Sequence, residues 1–381
     1  MTSRFWFLAA TFGAIVGCSS GSQQGFADPG GGTNDTTSSS DDGGGGTTPP
    51  SSTGPSTVLL PNDSGLDVYV EGIHYSDAAA GKFYDTSIPD ADVAQTVTLT
   101  ITPFTVPPGD EVYMCQWFAN PFGGQDVDIV EIDGQMSAGS HHFFVFNMDT
   151  TTGQTTAAPL EACPAAGLEF FPYIYLSQQP NWDVTYPQPD MGYPLLGTNG
   201  LMMNLHFLNT TSTAIDAQAT VTIHTAVPGK VTTHVGNLFL NNQSMSVPAN
   251  TPESAPIWQS SSNTPITTFD YNILQSWSHM HQYGLTFEAI LGPSPATTAP
   301  FYTETNWNTP PVTNYWPNPI AVPMGTQITW QCQYYNPTGA TMTFGDSALT
   351  SVMCIYFGQY YPTVPESTPG YPDIVNVVTA L

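Results

Sequence analysis

Short segments that alternate β-branched or aromatic residues with polar ones recur between Pro, Gly and Asn from residue 58 onward. The strand-sized segments are VAQTVTLTITPFTV (93–106), HHFFVFNM (141–148), GLMMNLHFLN (200–209), AQATVTIHTAV (217–227) and TQITWQCQYY (326–335). A period of two residues is typical of β-strands, and no segment shows convincing helical periodicity. Frequent turn signals, with 35 prolines and 34 glycines, predict an all-β protein.

The sequence divides into an N-terminal polar stretch and two regions of domain size. The segment AVPGK (226–230) contains Pro and Gly and is the expected boundary between the two regions. It places the domains at 58–228 and 229–381, each within the usual size range. We therefore expect two successive antiparallel jelly-roll or β-sandwich domains.

Residues 1–18 have the pattern of an export signal. Arg4 precedes a hydrophobic run from Phe5 to Val16, which is too short for a comfortable membrane-spanning helix. The run ends in IVGC, which resembles the lipobox of bacterial lipoproteins and implies lipidation of Cys18. The alternative is an ordinary secretory leader with an incidental cysteine. Residues 19–57 are mostly Gly, Ser, Thr, Asp and Pro, a composition typical of a flexible tether.

These features predict an exported protein that is lipid-anchored to a bacterial membrane, on the periplasmic or cell-surface side. The formal charge is −27, with three Lys and Arg residues against 30 Asp and Glu residues. Arg4 lies in the predicted export signal, so the mature chain would keep only Lys82 and Lys230. Two lysines cannot form a basic patch. This excludes nucleic acid as a partner and leaves the N-terminal lipid as the expected membrane contact.

Four cysteines remain beyond Cys18, and an even number in an exported protein indicates two disulfides. They are Cys115, Cys163, Cys332 and Cys354. Three pairings are possible in principle. Their distribution along the chain favours Cys115–Cys163 and Cys332–Cys354, because each bond would then lie within one predicted domain.

The histidines form two doublets. His279 and His281 are two residues apart, so on a strand they project to one face and can bind one metal ion. His141 and His142 are adjacent, so both can do so only at a bulge or a strand end. His206 lies within the apolar run 201–208. The alternative is that they are ordinary surface or hydrogen-bonded strand histidines.

Four motifs together resemble the copper type II, ascorbate-dependent monooxygenases, which include the peptidylglycine α-hydroxylating and dopamine β-monooxygenases. The motifs are GSHHFFVFNMD (139–149), NLHFLN (204–209), WSHMHQYG (277–284) and VMCIYFGQYYP (352–362). This resemblance implies one copper in each of two jelly-roll domains. It matches His141, His142 and His206 to a copper that relays electrons. It matches His279, His281 and Met353 to the copper where dioxygen binds and a C–H bond is hydroxylated.

The resemblance also implies the disulfides Cys115–Cys163 and Cys332–Cys354, and ascorbate or another one-electron donor as co-substrate. The histidines outside the matched set are His74, His224 and His234, which we expect to be strand or surface residues. Asn204 replaces a longer polar residue found in the amidating enzymes.

The positions that hold a substrate carboxylate in the amidating members carry Trp277, Ile355 and Phe357 here. These side chains either fill the core or line an apolar substrate pocket. We therefore expect a copper-dependent hydroxylation of a neutral or apolar small molecule, with dioxygen and a reductant as co-substrates. Two other functions remain open: a non-catalytic copper-binding or copper-storage lipoprotein, and an adhesion or glycan-binding module in which the histidines lie apart.

Overall fold

The computed structural model describes residues 92–149, 154–163, 172–262, 269–293, 298–363 and 374–378. The predicted export signal, Cys18, the tether and His74 lie outside the described residues. Over the described residues the protein is all-β, with no α-helix, as the sequence predicts. Accordingly, none of these residues belongs to a helix able to cross a membrane.

Twenty-five strands are described. The first thirteen are β1 (Val93–Thr100), β2 (Phe104–Val106), β3 (Glu111–Phe118), β4 (Val127–Met136), β5 (Ser140–Met148), β6 (Ala158–Ala162), β7 (Tyr173–Ser177), β8 (Asn181–Thr185), β9 (Met191–Leu195), β10 (Gly200–Leu208), β11 (Ile215–Ala217), β12 (Ala219–Ala226) and β13 (Thr233–His234). The others are β14 (Gly236–Asn242), β15 (Ser246–Val247), β16 (Ile257–Ser262), β17 (Tyr271–Met280), β18 (Gly284–Leu291), β19 (Tyr302–Glu304), β20 (Thr313–Asn314), β21 (Ile320–Val322), β22 (Ile328–Tyr334), β23 (Met342–Thr343), β24 (Cys354–Tyr361) and β25 (Ile374–Val378).

The N-terminal strands, β1–β13, form two large sheets and one small one. One large sheet has the order β1-β12-β4-β9-β13, with β8 also paired to β4, and the other has the order β6-β3-β10-β5-β7. A two-stranded sheet joins β2 and β11. Ile132 and Val221 of the first sheet share a core with Phe143 of the second, so the two sheets pack face to face.

The C-terminal strands, β14–β25, repeat this plan. A six-stranded sheet has the order β20-β17-β24-β14-β25, with β21 paired to β17, and a four-stranded sheet has the order β16-β22-β18-β19. Ile273 and Tyr356 of the first share a core with Trp330 of the second. No sheet of described strands combines members from before and after Val235. The domain boundary at residues 228 and 229 stays a prediction.

The strands that carry or directly follow the candidate metal ligands are buried on both faces. β1 alternates between half-buried and exposed residues, whereas β5, β10, β17 and β24 are buried over almost their whole length. In β5, Phe143 belongs to the N-terminal core, and Phe144, on the opposite face, contacts Phe357 of β24 with ring centroids 5.9 Å apart. The outer face of the five-stranded sheet therefore packs against the C-terminal six-stranded sheet, and this contact positions the site.

Both predicted disulfides are confirmed. Cys115 on β3 is bonded to Cys163, which follows β6, and Cys332 on β22 is bonded to Cys354, the first residue of β24. Disulfides persist in oxidising compartments, so the protein is extracellular or periplasmic. Cys354 of the second disulfide directly follows Met353 in the chain.

Candidate metal centre

The adjacent histidines lie at an irregularity of β5, as their spacing predicts. His206 on β10 pairs with His142, but the next residue, Phe207, pairs with Ser140, so that His141 is the extra residue of a bulge. The bulge allows both rings to approach the same side of the sheet. The ring centroids of His141 and His206 are 5.1 Å apart, and those of His142 and His206 are 4.9 Å apart.

The second doublet lies at the end of β17. His279 is on the strand and His281 follows its last residue, and their ring centroids are 5.1 Å apart. The Tyr334 hydroxyl accepts a hydrogen bond from the His281 main-chain N–H at 2.8 Å and donates one to the Met353 carbonyl at 2.6 Å. Tyr334 therefore fixes the main chain of Met353 relative to that of His281.

All five imidazoles form one group, which we call the histidine cluster: His141, His142, His206, His279 and His281. The His141 ring centroid lies 5.0 Å from that of His279 and 5.9 Å from that of His281. One ring nitrogen from each of these three residues lies within 4.8 Å of the other two. The two predicted ligand sets therefore lie close together, because the sheets that bear them pack against each other. That each set binds its own metal ion stays a prediction.

The histidine cluster is buried and short of hydrogen bonds. Its members are at most 7% exposed, yet seven of their ring nitrogens have no hydrogen-bond partner. These atoms are both nitrogens of His141 and of His281, Nδ1 of His142 and of His206, and Nε2 of His279. Buried polar atoms without partners are costly and rare. Neutral imidazoles are good ligands for copper, zinc and iron, so the residues present fit a bound transition metal.

The electrostatics keep the rings neutral. Burial lowers the pKa of His141 to about 4 and that of His281 to about 3. Burial, followed by the neighbouring imidazoles, lowers the pKa of His142, His206 and His279 well below the ordinary value. A neutral ring leaves one nitrogen lone pair free, which is the form that binds a metal.

Glu111 holds one member of the histidine cluster in place. Its Oε1 lies 2.8 Å from Nε2 of His206, which makes Nε2 the protonated nitrogen and leaves the lone pair of Nδ1 free. The same carboxylate accepts hydrogen bonds from the Ala348 N–H at 2.6 Å and from the Ser347 hydroxyl at 2.7 Å. Tyr113 stacks on His206 with ring centroids 3.8 Å apart.

Glu111 and Tyr113 were not among the residues predicted from the sequence. Tyr113 pairs with His206 between β3 and β10, and its hydroxyl donates to the Asp346 carbonyl at 2.5 Å. Both residues therefore contact the 345–351 loop, which belongs to the C-terminal part of the chain. The acidic residue at the start of β3 was visible in the sequence, but the register and the loop that give it a role were not.

The three residues proposed for a substrate pocket are buried side chains of the N-terminal core. Trp277, Ile355 and Phe357 are at most 5% exposed, and Trp277 stacks on Phe357 with centroids 5.8 Å apart. Trp277 also packs edge-on against Trp182 at 5.3 Å. The contact between the sheets covers these side chains, and a substrate pocket at these positions stays a prediction.

Three polar residues named in the sequence analysis, Asn204, His224 and His234, lie outside the histidine cluster. The Asn204 side-chain nitrogen lies 3.0 Å from Sγ of Cys163, so Asn204 contacts the first disulfide. His224 and His234 make ion-pair contacts with Asp133 and Asp128, at 2.9 and 3.1 Å respectively.

Positive charge is scarce around the site. Among the described residues Lys230 is the only Lys or Arg, and it pairs with Asp92 at 2.7 Å. The described part of the chain therefore places no cationic side chain where it could hold a substrate carboxylate.

Comparison with known proteins gives one short similarity. No protein-family model matches the chain. A stretch of 66 residues is 35% identical to DBH-like monooxygenase protein 2 of Mus musculus, and it covers 17% of this chain and 11% of that protein. The chain is therefore similar to a monooxygenase-like protein over about a tenth of the relative's length.

Two solved structures match the chain at low similarity. The major capsid protein P2 from bacteriophage PM2 is 6% identical, with a TM-score of 0.31, and the match covers 72% of this chain and 99% of that one. PNGase F, a glycosylasparaginase from Flavobacterium meningosepticum, is 10% identical, with a TM-score of 0.29 and coverage of 70% and 95%. At these TM-scores neither structure carries an argument about function.

Proposed function

We propose that this protein is a copper-dependent monooxygenase that hydroxylates a C–H bond of a neutral or apolar small molecule. Dioxygen and an external one-electron donor, such as ascorbate, are its co-substrates. The observation that carries the proposal is the histidine cluster, with seven buried ring nitrogens that have no hydrogen-bond partner. The short similarity to a monooxygenase-like protein supports the same class of reaction.

The residues that would hold copper are the five imidazoles and Met353. His141, His142 and His206 would hold one copper ion, and His279, His281 and Met353 would hold a second. Bound copper would supply one-electron redox chemistry and the activation of dioxygen. A thioether favours Cu(I), the oxidation state that reacts with dioxygen.

The chain's own groups orient the ligands and exclude water. Glu111 keeps the proton on Nε2 of His206. Tyr334 hydrogen-bonds to the main chain of both His281 and Met353 and so fixes these two members of the second set relative to each other. The aromatic rings of Tyr113, Phe144 and Trp307 lie against the histidine cluster. A buried environment in which the described residues provide no cationic side chain favours an apolar substrate over an anion.

The test is dioxygen consumption by the copper-loaded protein with excess ascorbate, offered either a neutral aromatic compound or a glycine-extended peptide. We expect two coppers per chain and oxidation of the neutral compound. Copper binding without oxidation of either compound would support the storage alternative. The adhesion alternative required the histidines to lie apart, and their clustering removes its basis.

Met353→Ile separates metal binding from turnover. An aliphatic side chain cannot ligate Cu(I), so we expect turnover to be abolished while the first set keeps its copper. Copper analysis and oxygen-electrode rates on the same preparation measure both effects. Met324→Ile is the matched control, because Met324 is 62% exposed. Full activity of Met353→Ile would contradict its assignment as a ligand.

A further inference from the structure

A cavity of about 220 Å³ lies beside His141. Its wall comes from residues 135–141, at the end of β4 and the start of β5, from residues 178, 180 and 181, from Leu208 and Thr210, and from residues 308 and 309. Gln135 and Asn181 are exposed, whereas His141 and Gln178 are each 2% exposed. The cavity therefore extends from the surface to the histidine cluster.

The cavity wall carries no charged residue. None of its lining residues is Asp, Glu, Lys or Arg, and its polar groups are amides and hydroxyls. Met136, Pro180 and Leu208 add apolar surface. An anion placed here would lose its hydration without gaining a cationic partner, so the wall selects against it.

Gln178 lines the cavity, and its side-chain oxygen has no hydrogen-bond partner. Its Nε2 donates to the Asn308 main-chain carbonyl at 3.4 Å, which fixes the orientation of the amide. Its Oε1 is buried and accepts no hydrogen bond. A buried acceptor without a partner is costly, and a ligand that donates a hydrogen bond would satisfy it.

We propose that this cavity binds a neutral small organic molecule that donates a hydrogen bond to Gln178 and packs its apolar part against Met136, Pro180 and Leu208. The volume is below the range of about 300–1,000 Å³ that is usual for ligand pockets, so the ligand is small. The proposal rests on the proposed function, in which such a molecule is either the compound oxidised or a neutral electron donor. Ascorbate, an anion at neutral pH, does not fit this cavity.

The experiment compares benzyl alcohol, toluene and benzoate, which share a ring but differ in donor and charge. Their affinities for the full chain are measured by ligand-observed NMR titration, first without metal and then with copper. We expect benzyl alcohol to bind about threefold to tenfold more tightly than toluene, the usual effect of one hydrogen bond. We expect benzoate to bind at least tenfold more weakly than the alcohol.

Two variants test the wall directly. Gln178→Leu should abolish the preference for benzyl alcohol over toluene, whereas Gln125→Leu, at an exposed glutamine outside the wall, should keep it. Gln135→Lys adds a cation at the mouth and should raise the affinity for benzoate at least tenfold, a gain that misfolding cannot produce. Equal binding of the three probes, no saturable binding of benzyl alcohol, or no effect of Gln178→Leu would overturn the proposal.

Because binding is measured without metal, its result does not depend on turnover. A chain that prefers benzyl alcohol but consumes no dioxygen when loaded with copper would refute the proposed function and retain the cavity as a ligand site. Oxidation of benzyl alcohol under dioxygen and excess reductant would identify the ligand as substrate. Reduction of Cu(II) by hydroquinone without dioxygen, weakened by Gln178→Leu, would identify it as electron donor.

Discussion

Glu111 contacts both a candidate metal ligand and a loop that is distant in sequence. Its carboxylate accepts hydrogen bonds from His206 and from the 345–351 loop, so the proton on Nε2 and the position of the ring depend on one side chain. Partners of this kind fix the tautomer of a metal-binding histidine and raise its basicity. The nitrogen of His206 that is free to bind a metal is therefore set by a residue outside the proposed ligand set.

Glu111→Gln tests this role because the amide keeps the shape and one acceptor but removes the charge. We expect the copper affinity of the chain to fall about tenfold to 100-fold, with little change in fold. Competition with a chelator of known affinity measures the change. Glu131→Gln is the control. The Glu131 carboxylate accepts a hydrogen bond from Thr185 within the six-stranded N-terminal sheet, which does not contain Glu111. Equal affinities in both variants would contradict the role of Glu111.

The buried histidines predict how the metal-free protein responds to acid. Their pKa values are about 4 for His141 and about 3 for His281, against an ordinary 6.5. Between those values the unfolded chain binds more protons than the folded chain, so stability falls as the pH falls from about 6.5 to about 4. For His141 alone the loss is about 3 kcal/mol.

Urea unfolding of the chelator-treated protein at pH 7 and pH 4.5 measures this loss. His281→Gln removes one titrating ring, so its free energy of unfolding should depend less steeply on pH than that of the wild type. The carboxylates titrate in both proteins, and the difference between the two therefore isolates the histidine. Parallel pH profiles for the wild type and the variant would refute the prediction.

At the scale of strands, local patterns in the sequence predict much of the structure. The segments 141–148, 200–209, 217–227 and 326–335 correspond to β5, β10, β12 and β22. The adjacent histidines predict the bulge at His141, because a regular strand would send them to opposite faces. Both disulfides were also predictable from the distribution of cysteines along the chain.

The second disulfide holds the residue next to Met353 in place, because Cys354 is bonded to Cys332. Cys354 pairs opposite Met280 between β17 and β24, and its bond to Cys332 closes a loop of 22 residues. Replacing both cysteines with alanine should lower the free energy of unfolding by about 3 kcal/mol. We also expect weaker copper binding at the second set, because Met353 directly precedes Cys354.

The other disulfide supplies the matched control for this prediction. Cys115→Ala with Cys163→Ala should destabilise the protein by a similar amount, since the bond spans 48 residues. It should leave copper binding at His279 and His281 largely intact. Denaturant titration and copper analysis on both double variants give the comparison. Equal loss of copper at the second set in the two variants would contradict the role of the Cys332–Cys354 bond.

At the scale of the whole molecule, the sequence does not reveal how the two sets of strands pack. The motifs predict a set of metal-binding residues, but the distance between the two sets depends on contacts such as Phe144 with Phe357 and Trp277 with Trp182. These contacts join residues more than 90 positions apart and leave no periodic signal. For the same reason the sequence left open whether Trp277, Ile355 and Phe357 fill the core or line a pocket.

The packing of the sheets brings His141 next to His279 and His281, and this predicts energetic coupling between the two sets. Because the two sets lie this close, His141→Ala and His279→Ala should each weaken copper binding at both sets, and the double variant should lose less than the sum of the two single losses. The coupling free energy in a double-mutant cycle should then be at least about 1 kcal/mol. His141→Ala combined with His224→Ala is the control, because His224 pairs with Asp133 on the other sheet, and the effects of those two substitutions should add. Additive effects of His141→Ala and His279→Ala would show that the two sets bind copper independently and would contradict the coupling, while leaving each ligand set in place.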